Sequence, residues 1–271
     1  MKNEAGVKAV VVTRPAAQAQ ALVQRISAMG YKAELFPLLE ILPLADTTPL
    51  DAALASLDNY ALVAFVSPNA IDASFARIRH LGHFSHWPAG VSIGVMGAGS
   101  RAALAAHGVT DANTRILSPV DVERTDSETL LAVLDLPALK TGRVLIVRGE
   151  TGRELLADAL KAQGIAVTQV AAYHREAPAF TAERRRQLSS MLKQENDWIV
   201  TSSEALRTLL AWAKELAAES DTTDAVAKMQ QQHLIVPHIR IAETAGALGF
   251  QSITLTASGD ENLLVALQSR L

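Results

Sequence analysis

Two stretches of this chain put hydroxyl groups between an apolar run and a helical pattern. They are FVSPNAI, carrying Ser67 and Asn69, and DWIVTSSEALRTLL, carrying Thr201, Ser202 and Ser203. Hydroxyls so placed accept hydrogen bonds from the free N–H groups of a first helical turn. The same N–H groups, the strand end and the hydroxyls also form a socket for an anion. Capping and anion capture are both open readings for these serines. RGETGRE, with Arg148, Gly149, Gly152 and Arg153, has the look of a phosphate loop but lacks its Gly-Lys-Ser/Thr core, so a nucleotide is not expected. His80, His83 and His86 lie close together around Gly82 and Pro88, a spacing that fits a loop; no carboxylate pattern accompanies them, and no metal is expected. AERRRQ (182–187) reads as the solvated start of a helix.

These groups need a frame to position them. Apolar residues make up 49% of the 271 and aromatics only 4%, so the core is built from Ala, Val, Leu and Ile, as in an α/β protein whose parallel strands are buried on both faces. With no cysteine, disulfides, thiol catalysis and cysteine metal sites are excluded. A formal net charge of −3 argues against a nucleic-acid partner. The start, MKNEAGVKAVVVTRP, has no apolar signal region, and no apolar run approaches the ~18 residues of a membrane span. A cytoplasmic protein with no membrane partner is expected. Short β-branched runs at 7–13, 61–66, 91–97, 142–147 and 197–200, and weaker ones at 233–237 and 252–256, end in polar turns that lead into helical patterns. That alternation predicts βαβ units and parallel sheets. Helices are predicted at Ala16–Met29, stopped by Gly30, and at Glu154–Gln163, stopped by Gly164.

The chain also repeats itself. VVVTRPAAQAQALVQRISAMGYKAELFPLLEI aligns without a gap on VLIVRGETGRELLADALKAQGIAVTQVAAYHR at an offset of 134, pairing Arg14 with Arg148 and Leu39 with Tyr173. ALVAFVSPNAIDASF aligns on DWIVTSSEALRTLL at 135, pairing Ser67 with Ser202, and GSRAALAAHG aligns more weakly on RIAETAGALG at 141. One half runs straight through while the other is split between the N-terminus and the region after residue 195. The expectation is a discontinuous α/β domain of residues 1–37 plus 177–271 and a second of 43–170. The crossings at 36–44 and 170–178, each ended by proline, are expected to pair as a two-stranded antiparallel β-ladder and serve as a hinge.

The chain resembles the uroporphyrinogen-III synthases of tetrapyrrole biosynthesis over essentially its whole length. The resemblance rests on VVVTRP, PLLEI, FVSPNAI, VMGAGSRAAL…HG, VLIVRGETGRELLADAL, VAAYHRE and WIVTSSEAL, in this order and spacing. It implies two α/β domains joined by a two-stranded ladder, with the active site in the cleft. It implies a lyase without cofactor or metal, in which hydroxymethylbilane loses its hydroxyl as water and closes to uroporphyrinogen III with ring D inverted. That substrate carries eight carboxylates, so a binder needs many dispersed N–H and hydroxyl donors. Ser67, Asn69, Ser100, Arg101, Arg148, Gly149, Gly152, Arg153, Thr201, Ser202 and Ser203 fall at strand-to-helix junctions and are the candidate substrate contacts; arginines add bidentate grips on carboxylates. Arg14, followed by Pro15, is a minor candidate. Where many relatives carry a threonine ahead of the C-terminal Gly249, this chain has Ile241, and the adjacent Arg240 is the substitute candidate. The family pattern places a tyrosine at Tyr173 as the catalytic hydrogen-bond donor to the leaving hydroxyl; the other reading is a packed strand residue, and no His–carboxylate pair is evident to assist the departure. A monomer is expected, in transient contact with the preceding enzyme of the pathway. The rival reading is a cytosolic two-lobed protein that binds or senses small anions without chemistry.

Overall fold

The computed structural model describes residues 8–82, 86–119, 127–152, 154–219 and 224–269. In chain order the elements are β1 (Ala9–Val12), α1 (Ala16–Ala28), β2 (Lys32–Leu35), β3 (Glu40–Leu42), α2 (Thr48–Leu54), β4 (Leu62–Phe65), α3 (Pro68–Leu81), β5 (Ser92–Val95) and α4 (Ala98–Ala106). There follow β6 (Ile116–Leu117), α5 (Ser127–Leu131), α6 (Leu136–Leu139), β7 (Arg143–Gly149), α7 (Leu155–Ala162), β8 (Ala166–Glu176) and α8 (Ala182–Met191). The chain ends with β9 (Asp197–Ile199), α9 (Ser203–Glu219), α10 (Ala225–Gln230), β10 (His233–Val236), α11 (Ile239–Ala247), β11 (Ser252–Leu255) and α12 (Asp260–Gln268). Two compact units result: the described residues up to Glu40 together with those from Glu176 onward, and Ile41–Arg175.

In the first unit the sheet runs β11-β10-β9-β1-β2, and its four pairings are all parallel. Side chains alternate faces along a strand, and both faces are apolar here. Val11, Trp198, Val200, Leu234 and Val236 join one core with α9, while Val10, Val12, Ile199 and Ile235 meet Leu22 and Ile26 of α1 and Leu263 and Leu267 of α12 on the other. That double burial is why these strands read as unbroken apolar runs rather than alternating ones. Phe36, Leu38 and Leu39 are buried in the same unit, so the chain leaves this core only at Glu40.

The second unit repeats the arrangement. Its sheet runs β3-β8-β7-β4-β5-β6, parallel from β8 through β6. Val63, Phe65, Ile93, Val95, Leu145 and Val147 face α3, and Leu62, Ala64, Val144 and Ile146 face α7. The sequence offsets map β1 on β7, β9 on β4, β10 on β5 and α11 on α4; the order β11-β10-β9-β1-β2 matches β6-β5-β4-β7-β8, with β3 an extra strand in the second sheet. In each sheet the chain runs outward in opposite directions from two central strands, β9 and β1 in one and β4 and β7 in the other. Crevices at such switch points, at the carboxyl ends of the strands, are where open α/β sheets bind ligands. No described helix is long and apolar enough to cross a membrane.

At the opposite, amino edge of the first sheet, three strand starts share a buried charge. Asp197 accepts from His233 Nδ1 at 2.7 Å and pairs with Lys8 Nζ at 3.0 Å, while His233 Nε2 bonds to Thr254 Oγ1 at 2.9 Å. Burial pushes the Asp197 carboxyl up, but the bonds from His233 and Lys8 outweigh it and hold it below its ordinary value. A depressed carboxylate contributes stability above its unfolded pKa and loses it as pH falls through the folded one. Asp197→Asn should therefore cost about 1–3 kcal/mol at neutral pH, with the gap to the parent closing as pH drops below about 4. Urea unfolding at stepped pH measures this; a gap that stays constant down to acid pH would rule the account out.

Candidate active site

The switch point of the second unit is built from three neighbouring strands. After β4, Ser67 is extended and its Oγ accepts from the Ala70 N–H at 3.2 Å, capping α3 just ahead of Pro68 at the first helical position. Next to it β7 ends at Gly149, where the pairing with β8 shifts register and sets Gly149 opposite Tyr173. A Cβ at Gly149 would lie 2.9 Å from Tyr173 Cζ, so only glycine lets the phenol ring rest on this backbone. The ring is buried, and its hydroxyl reaches Ser67 Oγ at 3.1 Å. Around this pair lies a pocket of about 200 Å³, lined among others by Arg148, Gly149, Thr151, Gly152, Gln169 and Arg175.

The two arginines of the pocket make different contacts. Arg148 is buried and donates to Glu154 Oε1 at 2.5 Å, while Gln169 donates to Glu154 Oε2 at 2.8 Å. The bond from Gln169 and the charge of Arg148 hold the Glu154 carboxyl below its ordinary value against the opposing effect of burial. The charge of Arg148 is thereby met inside the protein. Gly152, with φ +146°, passes so close to the Arg148 guanidinium that a Cβ there would come within 2.6 Å of it. Arg175 Nη2 lies 3.5 Å from the Thr151 carbonyl and lines the same pocket.

The structure thus gathers Ser67, Arg148, Gly149, Gly152 and Tyr173 at one point. Asn69 follows nearby as the second residue of α3, half-buried. Two candidates sit differently from the sequence reading. Ser100 is the third residue of α4, buried at 3% exposure; the helix begins at Gly97, so Ser100 is a packed helical serine rather than a junction hydroxyl. Arg101 spends its guanidinium on Ser118 Oγ, Asp111 Oδ2 and the Ile116 carbonyl, tying α4 to the β6 edge. Arg153 and His83 lie outside the described residues. Among the described residues no group of three or more His, Asp or Glu side chains could hold a metal ion.

In the first unit, Thr201, Ser202 and Ser203 stand at the corresponding edge. Ser202 Oγ accepts from the Glu204 N–H at 3.1 Å, and Ser203 Oγ bonds to Thr244 Oγ1 at 2.9 Å. Ile241 is buried in the core, and Thr244, one turn along α11, supplies the hydroxyl on this side. Arg240 is exposed and meets no carboxylate among the described residues, whereas Arg14 pairs with Asp260 at 2.6 Å.

Comparison with known proteins settles the family. The model of the family described as uroporphyrinogen-III synthase HemD matches residues 20–257. The chain belongs to the uroporphyrinogen-III synthase family. It is 32% identical over 260 residues to the uroporphyrinogen-III synthase of Salmonella typhimurium LT2, covering 96% of this chain and 99% of that one. It is 31% identical, with the same coverage, to the uroporphyrinogen-III synthase of Escherichia coli K12. A crystal structure of a mutant uroporphyrinogen III synthase from the extremely thermophilic bacterium Thermus thermophilus shares the fold, with a TM-score of 0.59 and 17% identity over 96% of this chain and 98% of that chain. Membership places the chain among the enzymes of heme biosynthesis rather than among solute-binding proteins.

Sequence reasoning missed several groups at this pocket. Thr151, Gln169 and Arg175 line the pocket, and Glu154 meets Arg148. A His–carboxylate pair stands beside Tyr173 in sequence but does not line the pocket: His174 Nδ1 lies 2.5 Å from Glu150 Oε2. The signal for it is the β7–β8 register, which a repeat alignment alone does not supply. The ring-on-backbone contact yields a test. Gly149→Ala should lose about 1–3 kcal/mol by forcing the Tyr173 ring aside. Gly99→Ala, whose Cβ would sit an ordinary 3.7 Å from Pro68 Cγ, should be neutral or stabilising by up to about 1 kcal/mol. Equal urea midpoints for the two variants would refute the contact's importance.

Proposed function

We propose that this chain closes hydroxymethylbilane to uroporphyrinogen III with inversion of ring D, as a lyase that needs neither metal nor cofactor. One observation carries the mechanistic part: a buried phenol, Tyr173, bonded to Ser67 at the edge of a pocket on the sheet's switch point. The Ser67 oxygen already accepts from the Ala70 N–H, which leaves its own proton free to donate to the Tyr173 oxygen. The phenol proton is then available to the pocket. In the proposed step the pyrrole electrons of the substrate expel the hydroxyl, Tyr173 gives its proton to that oxygen, and water leaves. For ring D to invert, the resulting cation is captured first by the α-carbon of that ring that already carries the chain. The old C–C bond from that carbon to its bridge carbon then breaks, and the bridge cation so formed is captured by the ring's free α-carbon, whose lost proton returns to the Tyr173 oxygen. General-acid help of this kind is typically worth about 100- to 10,000-fold.

The pocket suits one acidic arm of the substrate rather than a ring system, because about 200 Å³ is less than the ~300 Å³ at which small-molecule sites begin. Arg175 supports this reading as a cationic group on the pocket wall, and Arg148 acts by fixing the Gly149–Gly152 loop. Thr201, Ser202 and Arg240 of the first unit are further candidates for carboxylate contacts. Contact with the preceding enzyme of the pathway and a monomeric state belong to the same proposal.

The activity is tested by adding freshly generated hydroxymethylbilane and separating type I from type III isomers. Spontaneous closure gives type I, so the expected result is strong enrichment of type III, and none would overturn the reading. Tyr173→Phe should keep the fold and substrate binding but slow type III formation at least about tenfold; turnover at the parent rate would reduce the phenol to packing. Single alanine replacements at Ser202 or Ser203 should each cost on the order of 1.5–3 kcal/mol at most. Complete loss of activity in either, with the fold intact, would contradict a dispersed set of contacts.

A further inference from the structure

A second pocket lies at the other end of α3, lined by none of the groups around Tyr173. It measures about 350 Å³, within the range of small-molecule sites. Phe75, Ile78, Trp87 and Val109 give it apolar walls, and Arg79 and His107 stand among them. The His107 ring is parallel to Phe75 at 4.7 Å, and the Trp87 ring lies 6.0 Å from Phe75 at 28°.

Each polar end of this wall is tied down. The Trp87 indole N–H donates to the Val91 carbonyl at 2.8 Å. His107 Nε2 lies 2.9 Å from Asp72 Oδ1 and its Nδ1 3.1 Å from Arg79 Nη1. A guanidinium can only donate, so Nδ1 accepts and the ring proton sits on Nε2, facing Asp72. The rings are therefore preorganised, with little freedom left to lose on binding. Arg79 is exposed and, among the described residues, is bonded to this imidazole rather than to a carboxylate. Among those residues its charge is met by no ion pair, while its planar fork keeps donors to spare.

We propose that this pocket binds a planar aromatic carboxylate, its ring on the wall of Phe75, Trp87 and His107 and its carboxylate on Arg79. Flat apolar walls select a flat apolar body, and the guanidinium of Arg79 selects an anionic end. The site is independent of the proposed cyclisation, since no residue lines both pockets.

Two probes that differ only in charge test it on the full chain: naphthalene-2-carboxylate and the neutral 2-naphthylmethanol. Titrations are followed at the Trp87 indole ¹H–¹⁵N peak, assigned with Trp87→Phe. The carboxylate should shift that peak saturably and bind at least about fivefold more tightly than the alcohol. Arg79→Gln, at an exposed position, should erase the difference and leave the alcohol's affinity unchanged. No saturable shift at millimolar probe, equal binding of the two probes, or a preference that survives Arg79→Gln would each overturn the proposal.

Discussion

The Tyr173 ring lying on the backbone of Gly149 is the contact on which the site depends. Where a side chain at 149 would collide with the ring, its absence lets the phenol settle over the end of β7 and reach Ser67 beyond it. Three strands are joined by this one arrangement: β8 supplies the phenol, β7 the bare backbone and β4 the serine. Because these are the strands flanking the point where the chain reverses its direction across the sheet, the phenol is delivered to the crevice that α/β sheets of this kind use for ligands. The register shift at Arg148/Gly149 belongs to the same device, since it re-aims β8 at the place where pairing would otherwise continue.

Both halves of the repeat dispose of their strand-end arginine internally. Arg148 is clamped by Glu154, itself held by Gln169, and its counterpart Arg14 is clamped by Asp260. A buried guanidinium paired in this way contributes shape more than charge, since its attraction is already spent against desolvation. What separates the halves is the residue that meets the strand end. Tyr173 offers a hydroxyl to a pocket, whereas Leu39 at the equivalent place is packed into the core of the first unit. A duplicated frame has thus become chemically unequal through a small number of side chains.

The frame was legible because burying parallel strands on both faces leaves long β-branched runs, and these survive in both halves at nearly constant offsets. The pocket was legible in part, through the serine after β4, the glycines after β7 and Tyr173. Ser100 and Arg101 lie away from the pocket for a physical reason: a helix capped at Gly97 places them a turn further along, so the serine packs inward and the arginine turns to β6. Glu150 beside His174, Gln169 beside Glu154 and Arg175 in the pocket wall all depend on the β7–β8 register and its shift. That register is a property of pairing between residues 24 apart in the chain, and no local pattern encodes it.

The central claim is that Ser67 and Tyr173 work as one hydrogen-bonded unit at the switch point. A double-mutant cycle on the rate of type III formation tests it most directly, with Ser67→Ala, Tyr173→Phe and the two combined. If the serine acts through the phenol, removing it from the Tyr173→Phe background should cost little more, giving a coupling energy of about 1 kcal/mol or above. Strictly additive losses would show two independent contacts and contradict the account.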